Sequence, residues 1–133
     1  MKKILFITFI LSFLIAIPRI AFSQTAEDTI FTKTEIAPAY SGGQDALIKF
    51  LMMNLQYPEK AKEANIQGTV YISFVVEKDG KISNIKVIRG IGGGCDEEAI
   101  RVVSKMSKWN PGKNEGKNVR CSFVMPIKFI LGE

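Results

Sequence analysis

From Thr69 to Glu77 apolar and polar positions alternate strictly: Val70, Ile72, Phe74 and Val76 fall on one side, Thr69, Tyr71, Ser73 and Glu77 on the other. That is the period of a strand with one buried face. Lys78, Asp79 and Gly80 follow, and Asp-Gly is a strong hairpin signal. The return strand, about residues 81–89, puts Ile85 and Val87 on one face and Ile82 and Ile88 on the other. Its phase slips near Ser83 and Asn84, which predicts a bulge.

On either side of this hairpin the period lengthens. After the turn at Ser41, Gly42 and Gly43, Leu47, Phe50, Leu51 and Leu55 recur at helical spacing. Asp45 suits the positive helix end, and Pro58 closes the segment because the residue before proline avoids the α region. A short second helix is expected over residues 59–65. Beyond Gly90–Gly94 a third helix carries Ala99, Val102, Val103 and Met106 as its apolar stripe, with Asp96, Glu97 and Glu98 at its start. Trp109, Asn110, Pro111 and Gly112 end it, with Trp109 expected in the core, and a polar loop runs to Asn118. The final strand, about Val119 to Ile130, places Val119, Cys121, Phe123, Met125, Ile127 and Phe129 on one face and Arg120, Ser122 and Lys128 on the other. Pro126 has no amide hydrogen to give a ladder, so this strand is expected at a sheet edge with that position turned outward, or bulged.

The N-terminus reads differently. Lys2 and Lys3 precede an apolar run from Ile4 to Ile17, and Ala21 and Ser23 suit a cut before Gln24. Residues 1–23 therefore read as a cleaved secretory signal, too short to span a bilayer comfortably. The alternative is a retained signal anchor reaching to Phe22, which Arg19 disfavours. Residues 24–40, with Pro38, are expected as an extended lead-in, and residues 41–133 as the folded domain. Export permits a disulfide between Cys95 and Cys121 but does not require one.

Charge and chemistry narrow the function. The full chain carries a formal +5, yet without Lys2, Lys3 and Arg19 it has 15 basic residues against 13 acidic ones. So small an excess gives no pull toward nucleic acid. The sequence has no histidine, which removes the usual base and metal ligand, and two distant cysteines make a poor zinc site. Three consecutive glycines, Gly92 to Gly94, invite a phosphate-cradle reading, but the acids that follow would repel phosphate. No catalytic constellation, metal or cofactor is expected. The pattern points to binding.

The order YPEKAKEANIQGTVYISFVVEKDGKISNIKVIRG, GCDEEAIRVVSKMSKWNPGK and VRCSFVMPIKF resembles the TonB C-terminal domain, in the form abundant among Bacteroidota. Its markers are Tyr57 and Pro58, Gly68, Asp79 and Gly80, Trp109 with Pro111 and Gly112, and the strand holding Pro126. The resemblance covers about residues 38–131. It implies an α+β fold in two layers, a small antiparallel sheet of about three strands with two main helices on one face. It also implies a periplasmic protein-binding module, not an enzyme, whose last strand receives the TonB box of outer-membrane transporters by strand addition. On this chain the implied docking residues are Val119, Arg120, Ser122, Val124 and Lys128, with Gln56 and Tyr57 nearby. The implied partners are TonB-dependent outer-membrane transporters and the inner-membrane proton-motive-force motor proteins. A self-associating envelope or adaptor protein, dimerising through the same edge, is the alternative reading. Unlike a full transducer, the chain has only about 17 residues between Gln24 and the domain, reaching at most ~60 Å.

Overall fold

The computed structural model describes residues 29–132, so the expected signal segment lies outside the described residues. Three long strands carry the fold: β3 (Gly68–Val76), β4 (Ile82–Arg89) and β7 (Lys117–Phe129). Between and before them lie β1 (Ile30–Phe31), β2 (Ala39–Tyr40), β5 (Trp109–Asn110) and β6 (Gly112–Asn114). The helices are α1 (Gly43–Asn54), α2 (Glu59–Glu63) and α3 (Cys95–Ser104). The main sheet has five strands in the order β1-β7-β3-β4, with β6 also on β7, while β2 and β5 form a separate pair. The three expected strands are thus its long members, and the two additions are only two and three residues long.

One core holds the layers together. Val70, Ile72, Phe74 and Val76 of β3 and Met125, Ile127 and Phe129 of β7 meet Leu47 of α1, Ala61 of α2 and Cys95, Ala99, Val102 and Val103 of α3. Burying a side chain such as Phe74 stabilises the fold by about 1.5–3 kcal/mol. Trp109 closes the core beside Tyr40, Phe74 and Phe123, with ring centroids 5.2–5.6 Å away. Its Nε1 is buried with no hydrogen-bond partner among the described residues, a cost of about 1–3 kcal/mol that this ring packing must offset.

Two tight turns depend on glycine. At Gly80, φ is +84° and a Cβ would lie 2.2 Å from the Trp109 carbonyl oxygen. The Trp109 N–H donates to Gly80 O there, bolting the β3–β4 turn to β5. At Gly90 a Cβ would meet Asp96 Oδ2 at 2.1 Å, because that carboxylate folds back to accept from Ile91 N–H at 2.8 Å. The glycine-rich segment is therefore a strand-to-helix turn held by its own helix.

β3 runs in unbroken register with β7 from Gly68↔Phe129 to Val76↔Cys121. Against β4 the register slips twice: two residues of β4, Asn84 and Ile85, face the single Phe74 of β3, and again one extra enters between Val87 and Arg89. Asn84 takes φ +50° at the first slip, where the sequence phase breaks. The bulge also turns Ile82 inward against the core, whereas Ile88 stays exposed.

The described part of the lead-in, from residue 29, pairs with the domain at two places. β1 runs parallel to β7, Ile30 opposite Arg120 and Phe31 opposite Cys121. β2 pairs with β5, which buries Tyr40 in the core. Cys95 and Cys121 are both buried free thiols. Burial, then the neighbouring Asp96 and Glu97 carboxylates, pushes the Cys95 thiol pKa up.

Candidate functional site

In an antiparallel ladder, alternate residues aim both backbone groups at the same neighbour. Glu77 N–H donates to Lys81 O at 2.8 Å, which aims Glu77 at β4, and with it Val75, Ser73 and Tyr71. Val76, Phe74, Ile72 and Val70 then aim at β7, where their partners are Cys121, Phe123, Met125 and Ile127. Those β7 residues spend their backbone groups on β3. Ser122, Val124, Pro126 and Lys128 aim the other way, so Pro126 lacks its donor where no ladder needs one. The outward turn expected at Pro126 follows from this phase.

Not all of that outward row is free. The type of turn at Glu115 and Gly116, both with positive φ, folds β6 back so that Gly112 pairs with Val119. β1 then takes the next places, opposite Arg120 and Cys121. Val119 and Arg120, expected on the open edge, are therefore covered by the chain's own backbone. Arg120 is further committed to Glu77, Nε to Oε2 at 2.7 Å. That hydrogen bond, outweighing some burial, holds the Glu77 carboxyl below the usual carboxylate range, with Ser83 and the Arg120 charge adding to it. Ser122 lies at the boundary, its Oγ 3.5 Å from Phe31 O. No strand of the described residues pairs with the outward side of residues 123–129.

Beside the open stretch lies an apolar groove of about 400 Å³, walled by Ile48, Leu51, Met52 and Leu55 of α1 and by Pro126, Ile127 and Lys128 of β7. Ile48 is 47% exposed and Met52 80%. The helix periodicity gave Leu47, Leu51 and Leu55 to the core but said nothing of Ile48 and Met52, whose role appears only once β7 is placed. Met52 is long, unbranched and polarisable, suited to adapting to varied apolar partners.

Tyr57 reaches the end of β7 through Phe129, whereas Gln56 faces α3. Gln56 N–H donates to Glu98 Oε1 at 3.3 Å, in a hollow shared with Arg101. Arg101 donates to Asn54 O at 2.8 Å and is paired with Glu98, tying the end of α1 to α3. The Tyr57 hydroxyl donates to Ile66 O, and its ring stands edge-on to Phe129 at 5.6 Å. Both residues brace the α1–α2 connection, a role set by Pro58 and by the acids of α3.

The comparisons with known proteins agree with this architecture. A family model described as the Gram-negative bacterial TonB protein C-terminal matches residues 53–131. Protein TonB of Escherichia coli (strain K12) is 28% identical over 58 residues, which is 44% of this chain. The match covers 24% of that protein, so the chain corresponds to about a quarter of its length. Two solution structures of the Helicobacter pylori TonB C-terminal domain superpose with a TM-score of 0.50 at 21% identity. They cover 65% and 67% of this chain and 78% and 94% of their own. At that identity the likeness speaks for the fold.

Proposed function

Because the chain belongs to the TonB C-terminal domain family, we propose that it is a periplasmic module that takes the TonB-box segment of an outer-membrane transporter as an added strand on β7. The observation that carries this reading is the unpaired outward row from Val124 to Lys128, lying directly beside the α1 groove. A guest strand there meets the Val124 and Lys128 N–H groups and the carbonyls of Val124, Pro126 and Lys128. Each such bond is worth about 1 kcal/mol net, and association alone costs an estimated 4–15 kcal/mol. Backbone pairing therefore sets direction and register, while apolar side chains seated between Ile48, Met52 and Pro126 decide whether binding is measurable. A strand held in this way carries tension along its whole ladder at once, which suits a segment that is pulled.

Titration of the purified protein with synthetic box peptides, followed by amide shifts, tests the proposal. Shifts at Val124 and Lys128 together with Ile48 and Met52 are expected. An unmoved Ser122–Phe129 stretch at millimolar peptide would sink the proposal. Light scattering over a concentration series separates it from self-association through the same edge: a dimer blocked by box peptide supports both uses of the edge, and a dimer indifferent to the peptide argues against the guest.

A further inference from the structure

The sheet face turned away from the helices has its own character. Ladder partners share a face, so Thr69, Tyr71, Ser73 and Val75 lie there with Lys86, Arg89, Ser122, Val124, Pro126 and Lys128. Large apolar side chains are left in water on this side: Tyr71 is 38% exposed, Val124 51% and Ile88 58%. Lys86, Arg89 and Lys128 are exposed on the same face. Its one carboxylate among these strands, Glu77, is already held by Arg120. Among the described residues the surface is thus apolar and cationic, with no free acid of its own.

It is also concave. A hollow of about 570 Å³ opens between Ile30, Ile88 and Val124, with Lys86 at its side and Ser73 and Val75 at its base. Ser73 is 8% exposed and Val75 5%. We infer that this face is a second docking surface, adjoining the β7 edge at Ser122 and Val124, for an acidic protein surface that seats one apolar side chain in the hollow. Three features select that occupant. A second copy of the chain would bring Lys86 and Arg89 against their own counterparts, and like charges facing each other are costly. A bilayer receives apolar groups that project, whereas this site recedes. A carboxylate-flanked apolar side chain matches both the hollow and its cationic rim, the arrangement of a central apolar anchor with polar surroundings.

The test uses a capped pentapeptide with one leucine between pairs of glutamates, titrated into the purified protein. Amide shifts at Ser73, Val75, Lys86 and Ile88 are expected, weakening as salt is raised. These positions lie on β3 and β4, so the result is independent of whatever binds at Ile48 and Met52. Replacing the glutamates by lysines, or the leucine by serine, should each lower the affinity at least tenfold. The exposed double variant K86E/R89E should do the same to the parent peptide while keeping its thermal midpoint. Equal binding of the lysine peptide, of the serine peptide or by the double variant overturns the inference. So does a hollow that stays unmoved by the parent peptide, including the case in which only phosphatidylglycerol vesicles bind.

Discussion

Val124→Pro isolates the open edge from the fold that supports it. Val124 is half exposed and its ladder partner is Ser73, but by the backbone phase its own N–H points away from β3. Proline there removes no bond from the sheet, just as Pro126 removes none two residues later, so the thermal midpoint should move by only a few degrees. For a guest strand the change is severe. One net hydrogen bond of about 1 kcal/mol is lost, and the guest carbonyl left facing the ring pays up to about 3 kcal/mol if it stays unsatisfied. Since 1.4 kcal/mol is a factor of ten in affinity, box-peptide binding should weaken by roughly 5- to 700-fold in calorimetric titration. Met125→Pro is the control. It sits one residue on, buried opposite Ile72, where the missing N–H comes out of the β3 ladder, and it should unfold the protein or lower its midpoint sharply. If Met125→Pro is tolerated while Val124→Pro unfolds the chain, the assigned phase of β7 is wrong. If Val124→Pro folds and still binds peptide like the parent, guests do not use this edge.

Other expectations concern the fold itself. Glu77 titrates below the usual carboxylate range because Arg120 holds its ionised form, so the stability from this pair is complete at neutral pH and is lost as pH falls through that lowered value. Glu77→Gln should remove on the order of 1 kcal/mol at pH 7 and flatten the acid limb of a denaturation series. Phe74→Ala, which deletes a ring packed against Trp109 and Phe123, should cost about 3–5 kcal/mol in urea unfolding. Cys95 and Cys121, both buried, should resist alkylation by iodoacetamide at pH 8 and react together once the protein is unfolded; rapid native labelling of Cys95 would contradict its packing.

What could be read from the sequence followed periodicity. The β3–β4 hairpin, the bulge at Asn84, the stripe of α3 and the outward Pro126 all rest on runs of several residues with one clear phase. What could not be read was short. β1 and β2 have two residues each, too few to show any period, yet β1 decides how much of β7 is free. β6 was hidden for another reason: its turn uses Glu115 at φ +52°, where a glycine or asparagine would have announced a hairpin. The directions of Gln56 and Tyr57 could not be read either, because a turn residue's direction depends on its partners, here Glu98 and Phe129, which lie far along the chain.

The two slips in β4 have a consequence for how many strands one molecule can hold. An incoming chain needs a regular run of outward donors and acceptors; β7 supplies one, while along β4 each extra residue breaks the spacing and Lys86 and Arg89 stand in the approach. The domain therefore has a strand valence of one. It can accept a partner without presenting a fresh template on its opposite border, and growth into a continuous multi-chain sheet stops at the first addition.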